Sequence, residues 1–282
     1  MFESIMKLLK VERSELLAFY DVKELLKPKR ESYLGMRTIP VDKIVGSEGR
    51  YYDFTHSFLP KKELLRNRWV NIDKAHLASI NLPPIRVFKL GGCYFVRDGN
   101  HRVSVARTQG VEFIDAEVVE LDTEISIDPS MTREELWMKV VAYEREQFIK
   151  YIQQHDIGNV LNLNMIRFSA PGRYQEVISH ILVHKYYLNE GKEEEISMKE
   201  AARSWFNSVF SPIIGIIKRE RILRRFPRRT PGDLYMWVVK HWDELKGKFG
   251  QDFSLEEAAM DYSSRFGKNL WARFWRYFKR ID

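Results

Sequence analysis

A single corner of the sequence brings together residue types that can bind and transfer phosphate. These residues are Asp98, Gly99, Asn100, His101 and Arg102. Residues 93–97 have a strand-like composition and residues 100–109 a helix-like one, so the group lies where a strand turns into a helix. A helix N-terminus offers unpaired N–H groups and partial positive charge, and both attract anions. The pattern therefore predicts a phosphate site formed by the glycine and the three residues that follow it.

Asp98 has more than one role open to it at this corner. It can orient His101 or Arg102, or it can help to hold a metal ion that bridges phosphate groups. A purely structural interpretation is also open, in which Asp98 caps the helix and Arg102 pairs with a surface acid. Strand–turn–helix corners are common, so the local pattern does not decide between binding and structure.

The elements around the corner predict an α+β domain over residues 31–128. Short runs rich in β-branched and aromatic residues occur at 37–44, 85–90, 93–97 and 113–121. Helical stretches are expected near 60–68, near 73–80 and directly after Gly99. Before this domain, apolar residues at helical spacing end at Pro28 and predict an N-terminal helical segment over residues 1–30.

Residues 129–282 predict a helical domain, because strand-like runs nearly vanish after Asp128-Pro129. Thr132-x-x-Glu135 matches a capping box, so a helix is expected to begin there. Residues 161–165 alternate in polarity and are typical of a short extended stretch. A shift of 57 residues places His184 on His241 and Ser197-x-x-Glu200-Ala-Ala on Ser254-x-x-Glu257-Ala-Ala, which predicts a duplicated helical hairpin.

Composition limits the class of protein. Hydrophobic residues make up 44% of the chain and charged residues 30%, which is typical of a soluble globular protein. No apolar run approaches the ~20 residues of a membrane-spanning helix, and no secretion signal is recognised, so a cytoplasmic location is expected. Cys93 is the only cysteine, which excludes an intrachain disulfide and a cysteine-based zinc site. No convincing set of metal ligands is found.

The segment from Ile39 to Leu121 resembles the ParB/sulfiredoxin superfamily. The resemblance is carried by "IPVDKI", "PPIRVF" and, most specifically, "VRDGNHRVSVAR", and it covers about 80 of the 282 residues. It implies a mixed-sheet domain with a phosphate loop. In the helical region, "PGRYQEVISHILVHKYYL" and "FPRRTPGDLYMWVVKHW" resemble segments attached to ParB-like domains in bacterial proteins of unassigned activity. That second likeness implies no particular function.

Two branches of the superfamily fit the loop less well than a third. Sulfiredoxins place a catalytic cysteine directly before His-Arg, whereas here Asn100 holds that position and Cys93 lies seven residues earlier. A thiolate so far from the helix N-terminus gains no help in lowering its pKa, so reductase chemistry is disfavoured. ParB proteins carry Gly-Glu-Arg-Arg and then a helix-turn-helix domain, and this chain has Gly-Asn-His-Arg and no obvious helix-turn-helix.

The free serine kinases carry Asp-Gly-His-His-Arg, the form closest to this loop. By resemblance, Glu48 acts as the base for a substrate hydroxyl, and Asp98 and His101 complete the catalytic set. The implied phosphate ligands are Arg50, Gly99, Asn100, His101 and Arg102. ATP or ADP with Mg²⁺ and a small hydroxyl compound such as free serine are then the expected ligands. The plainer interpretation of Glu48 is an exposed loop acid.

Basic residues support a rival function. Residues 201–282 hold 17 Lys and Arg against 9 Asp and Glu, and residues 218–229 alone hold seven basic residues. Such a cluster can neutralise phosphates, so a nucleic-acid-binding regulator or ParB-like nuclease is the alternative. Its binding residues are Arg224, Arg225, Arg228 and Arg229. A solvated helix end explains the cluster equally well, and a non-catalytic nucleotide sensor is a third hypothesis.

Overall fold

The computed structural model describes residues 16–61, 83–249 and 255–266. The chain divides into two compact units, and the first ends at Val140. The first unit contains every strand of the described residues, and the second is built from helices. No helix among the described residues has both the length and the apolar character needed to cross a bilayer.

The first unit is organised around one six-stranded mixed sheet. Its strands are β1 (Leu17–Ala18), β2 (Arg30–Pro40), β3 (Ile44–Ser47), β4 (Ile85–Leu90), β5 (Cys93–Asp98) and β6 (Phe113–Asp122). Their spatial order is β1-β3-β5-β4-β6-β2. The pairs β1·β3, β3·β5 and β4·β6 are parallel, whereas β4·β5 and β2·β6 are antiparallel. The expectation of an α+β unit with a mixed sheet is confirmed.

In the described part of the first unit, this sheet is accompanied by helices α1 (Phe19–Leu26) and α2 (Asn100–Thr108). Ile85, Val96 and Val103 belong to one buried cluster, so β4, β5 and α2 pack together beneath the corner. One predicted strand was wrong in extent. The run at 37–44 ends at Pro40, a 3₁₀ turn follows at Val41–Lys43, and β3 begins at Ile44. The helices expected near 60–68 and 73–80 fall mainly on residues 62–82, which lie outside the described residues, as do residues 1–15.

The second unit is built from packed helices and short helical turns. The helices of this part of the chain are α3 (Arg133–Gln154), α4 (Arg173–Asn189), α5 (Met198–Trp205), α6 (Ser211–Arg219), α7 (Pro231–Phe249) and α8 (Leu255–Phe266). The boundary between the units falls within α3. The capping box at the start of α3 is present, because Thr132 N donates to Glu135 Oε2 at 2.7 Å and Glu135 N donates to Thr132 Oγ1 at 3.2 Å.

The 57-residue spacing recurs in the contacts between helices. His184 Nε2 lies 2.9 Å from Ser204 Oγ, which links α4 to α5. His241 Nε2 lies 2.7 Å from Asp261 Oδ2, which links α7 to α8. His241 lies 57 residues after His184, and Asp261 lies 57 residues after Ser204, so the two contacts occupy equivalent positions of the repeat. The capping box at Ser197 is present, and its expected copy begins at Ser254, outside the described residues.

Residues 161–165 do not form the extended stretch that their alternation suggested. The segment contains a turn in which Met165 N donates to the Asn162 carbonyl oxygen at 2.9 Å. The Asn162 side chain also accepts from Asn164 N at 3.1 Å. Asparagine forms local hydrogen bonds that favour a turn, and these outweigh the alternation of polarity that predicted an extended stretch.

Candidate functional site

Gly99 forms the turn between β5 and α2 in a conformation that other residues rarely adopt. Its φ is +106° and its ψ is 21°. A Cβ at this position would lie 2.5 Å from Ile85 Cγ2 and 3.1 Å from Arg102 Nε. Both the backbone and the available space therefore require glycine, which lets the chain turn directly from the strand into the helix N-terminus.

A cavity of about 360 Å³ opens at this turn. It is lined by Gly49, Arg50, Arg97, Asp98, Gly99, Asn100, His101 and Arg102. Its wall is formed by the end of β5, the first turn of α2 and the loop after β3. Its volume falls within the range of small-molecule sites, which is roughly 300–1,000 Å³. All five residues of the predicted corner and Arg50 are therefore brought to one place.

Asn100 and His101 are buried in the cavity wall. Their relative exposures are 8% and 5%. Asn100 Oδ1 has no hydrogen-bond partner among the described residues. The His101 ring packs edge-on against Phe54 at a centroid distance of 5.3 Å. A buried carbonyl oxygen without a donor costs about 1–3 kcal/mol, so Asn100 is held in an unfavourable state among these neighbours.

Arg102 and Asp98 form a pair that stabilises the corner itself. Arg102 Nη2 donates to Asp98 Oδ2 at 2.6 Å, and Arg102 Nη1 donates to the carbonyl oxygens of Pro84, at 2.8 Å, and Pro83. The ion pair of the structural interpretation is thus present. Among the described residues, no backbone N–H of α2 donates to Asp98, so the capping part of that interpretation is not seen. Arg102 therefore stabilises the Pro83–Pro84 segment that precedes β4, and it also lines the cavity.

Glu48 lies beside the cavity but does not line it. Glu48 N donates to the Val96 carbonyl oxygen at 2.9 Å, which fixes its backbone against β5. Glu48 Oε1 accepts from the Tyr20 hydroxyl at 2.7 Å, and Oε2 lies 3.6 Å from Arg97 Nε. The bond to Glu48 raises the pKa of Tyr20. This carboxylate is therefore held by two neighbours rather than exposed as a free loop acid.

Two arginines bring positive charge to the cavity from outside α2. Arg50 is exposed, and no hydrogen bond or ion pair of its guanidinium is found within the described part of the chain. Arg97, which sequence reasoning did not select, lines the cavity and pairs with Glu48. Its position directly before Asp98 was the available signal, because the last residues of a strand reach the same edge as the turn that follows.

Arg107 ties α2 to the segment that carries Gly49 and Arg50. Its guanidinium donates to the Ile44 carbonyl oxygen at 2.5 Å and to the His56 carbonyl oxygen at 3.2 Å. Burial lowers the pKa of Arg107. Because these contacts lie before and after residues 49–50, they hold the loop side of the cavity against the helix side.

Cys93 belongs to the core and not to the site. It is 1% exposed, its thiol donates to the Ile127 carbonyl oxygen, and burial raises its pKa to about 11. A thiol in this state is a poor nucleophile at neutral pH. Within the described residues, no group of three or more His, Cys, Asp or Glu side chains could hold a metal ion.

The four arginines proposed for nucleic-acid binding differ in their exposure. Arg224, Arg225 and Arg228 are exposed. Arg229 is half-buried, donates to Ser169 Oγ at 3.2 Å and lies over the Trp237 ring at 5.5 Å. Its guanidinium is therefore engaged in packing within the second unit, and it is a poor candidate for phosphate binding.

Comparisons with known proteins give little further information. No protein-family model matches the chain, and no curated protein matches it either. The chain is similar to two solved structures of pNOB8-like ParB N-domains, with 10% and 11% identity over 86% of its length. The alignments cover 94% and 87% of those chains, with TM-scores of 0.22 and 0.23. Such TM-scores establish no shared fold, so the likeness to ParB rests on the sequence resemblance between Ile39 and Leu121.

Proposed function

We propose that the first unit is a ParB-like domain that binds a nucleotide in the cavity at Gly99. By the resemblance of its loop to that of the free serine kinases, it transfers the terminal phosphoryl group to a small hydroxyl compound such as serine. ATP or ADP with Mg²⁺ is the proposed donor. The observation that carries the proposal is the cavity at Gly99, which is lined by Arg50, Arg97 and Arg102 and by buried Asn100, whose side-chain oxygen has no partner among the described residues.

The Asn100 side chain restricts the chemistry of the ligand. An amide oxygen accepts hydrogen bonds, so Oδ1 favours a ligand that carries a hydrogen-bond donor. A ligand with hydroxyl or amino groups near its phosphates supplies such a donor. Nucleotides and hydroxyl-bearing substrates both meet this requirement.

The charges around the cavity suit the phosphate groups of such a ligand. The N-terminus of α2 contributes partial positive charge and free N–H groups. Arg50 adds a guanidinium without a described partner, and Arg97 adds a second one at the opposite side of the loop. Asp98 is the carboxylate in the lining, and Mg²⁺ commonly uses one or two carboxylates together with phosphate oxygens.

Glu48 is the proposed general base. The acceptor hydroxyl oxygen attacks the terminal phosphorus, the bond from that phosphorus to the bridging oxygen breaks, and the hydroxyl proton passes to a Glu48 carboxylate oxygen. The shortened nucleotide leaves with the bridging oxygen. Tyr20 and Arg97 hold the carboxylate beside Gly49 and Arg50, which line the cavity.

Isothermal titration with ATP, ADP and CTP, each with and without Mg²⁺, tests the binding step. We expect at least one nucleotide to bind, and we expect Arg50→Gln to weaken binding about tenfold through loss of a charge-assisted contact. Arg30→Gln is the matched control, because Arg30 is an exposed arginine of the same sheet that does not line the cavity. If none of the three nucleotides binds to the wild-type protein, the proposal is wrong.

A further inference from the structure

The second unit carries a strongly basic segment that the proposed nucleotide site does not use. Six basic side chains between residues 218 and 228 are exposed, and together they are named the basic surface: Lys218, Arg219, Arg221, Arg224, Arg225 and Arg228. Glu220 is the one acid in this stretch of sequence, and it lies 2.8 Å from Arg219 Nε. Six cations against one acid leave a large local excess of positive charge.

The basic surface is presented by a well-anchored turn. It joins the end of α6 to a 3₁₀ turn at Ile222–Arg225. Ile222 is 1% exposed and Phe226 is 3% exposed, and both belong to the core of the second unit. Phe226 also stacks on Tyr262 with ring centroids 5.8 Å apart. With the apolar side chains turned inward, the arginines between and after them are left at the surface.

Two of these arginines adopt a backbone conformation that does not suit their side chains. Arg221 has a φ of +53° and Arg228 a φ of +63°. They are two of the five non-glycine residues with positive φ in the described part of the chain. Glycine and asparagine adopt this conformation more readily than other residues. Residues held in such conformations are often found at functional sites, which is consistent with a binding role for this turn.

We propose that the basic surface binds the phosphate backbone of a nucleic acid. Arginine outnumbers lysine five to one on this surface, and the planar guanidinium can donate two parallel hydrogen bonds to a phosphate. The large apolar residues of the segment pack on the core of the second unit, Ile222 and Phe226 buried and Leu223 partly buried, so they are poorly placed to insert into a membrane. Contact with backbone phosphates alone carries no sequence preference. The basic surface belongs to the second unit, and the proposed nucleotide cavity belongs to the first.

Fluorescence anisotropy with a short labelled DNA duplex and a labelled single-stranded RNA tests this inference. Binding is measured between about 50 and 200 mM salt, where each phosphate contact adds about 0.7–0.9 to the slope of log affinity against log salt. We expect at least one of the two to bind. We expect the triple variant Arg224→Gln, Arg225→Gln, Arg228→Gln to reduce that slope by about 2–3 and affinity at least tenfold.

The matched control removes the same charge elsewhere in the second unit. Lys192→Gln, Arg203→Gln and Lys240→Gln together change three exposed basic residues outside the basic surface. A second triple variant with lysine at 224, 225 and 228 keeps the charge, and we expect it to keep the slope while losing affinity a few-fold. Circular dichroism reports whether each variant folds.

Three results would overturn the inference. The first is no binding to either nucleic acid by the wild-type protein at about 50 mM salt. The second is equal binding by the glutamine variant and the control variant, or full affinity in the lysine variant. The third is tighter binding to anionic phospholipid vesicles than to DNA or RNA. None of these results depends on nucleotide binding at the Gly99 cavity, so the two proposals fail independently.

Discussion

Among the described residues of the first unit, two tyrosine–glutamate–arginine groups are found, and only one of them adjoins the cavity. In the cavity group, the Tyr20 hydroxyl lies 2.7 Å from Glu48, whose other oxygen lies 3.6 Å from Arg97 Nε. In the remote group, the Tyr33 hydroxyl lies 3.0 Å from Glu117, whose other oxygen lies 3.0 Å from Arg86 Nε. The remote group spans β2, β6 and β4 on the sheet.

The comparison shows that the side-chain arrangement does not define a site by itself. Both tyrosines have a raised pKa for the same reason, the hydrogen bond to a glutamate. The cavity group differs in its surroundings, because Arg97 lines the cavity and Glu48 is followed directly by two lining residues. In the remote group, none of the three residues lines the cavity. A tyrosine–glutamate–arginine group on a sheet therefore indicates a functional site only where a helix N-terminus and a space for a ligand lie beside it.

The largest expected difference between the two groups concerns turnover. Glu48→Gln removes the proposed base, and we expect the rate of phosphoryl transfer to fall about 10²–10⁴-fold. Nucleotide affinity is expected to hold, because the variant frees Arg97 for phosphate. Glu117→Gln removes a glutamate with the same two partners and is expected to leave the rate unchanged. A coupled assay of nucleotide consumption with serine as acceptor measures both.

Turnover that survives in the Glu48→Gln protein would remove Glu48 from the mechanism. Wild-type binding without any turnover would instead favour a nucleotide sensor over an enzyme.

The next largest effect concerns stability, and it compares Gly99 at the corner with a glycine in an open turn. Gly99→Ala introduces a Cβ 2.5 Å from Ile85 Cγ2 at a φ of +106°, and we expect it to destabilise the first unit by about 2–4 kcal/mol. Gly92→Ala is the control, because its φ is +85° but a Cβ would meet nothing within 4 Å. It should cost only about 1 kcal/mol. Urea denaturation measures both, and equal losses would contradict the packing argument.

A smaller effect is expected on affinity. Arg97→Gln removes a guanidinium from the cavity wall, and we expect nucleotide binding to weaken about tenfold, equivalent to roughly 1.4 kcal/mol. Arg86→Gln removes the equivalent arginine from the remote group and should not change affinity. Titration calorimetry at one fixed salt concentration compares them. Equal affinities would show that Arg97 serves only to pair with Glu48.

The smallest effect concerns the tyrosines. Tyr20→Phe removes one hydrogen bond to Glu48, worth about 1 kcal/mol, so the turnover number should fall about fivefold with little change in KM. Tyr33→Phe removes the corresponding bond to Glu117 and should have no effect on either constant. A loss of the same size in both variants would indicate a general effect on the sheet rather than positioning of the base.

Sequence reasoning identified the corner because its signals are local. The strand, the glycine and the helix are adjacent in the chain, and β4, β5 and β6 follow from similarly short patterns. β1, which lies within the expected N-terminal helical segment, and most of β2 and β3 were not predicted. Tyr20 was missed because its contact with Glu48 depends on distant packing. Gly46 allows β1 to approach β3, since a Cβ there would lie 2.3 Å from the Leu17 carbonyl oxygen, and this pairing places α1 near Glu48.

The charged residues were harder to interpret than the backbone. Arg229 was grouped with its basic neighbours although its guanidinium packs on Trp237, since adjacency in a sequence does not report which side of a turn faces the core. Arg102 was expected to bind phosphate, which stays a prediction, and the structure shows that its guanidinium donates to the Pro83 and Pro84 carbonyl oxygens. Contacts between residues so distant in the chain cannot be recognised from residue type.

The most direct test of the account is an amide chemical-shift titration with ATP and Mg²⁺. The account predicts that the largest changes fall on the backbone N–H groups of Gly99 to Arg102 and on the Asn100 side-chain amide, with weaker changes at Gly49 and Arg50. Inorganic tripolyphosphate should shift the backbone signals without shifting the Asn100 side chain to the same extent. Shifts confined to other regions, or no shifts at saturating nucleotide, would contradict the claim that this corner binds the ligand.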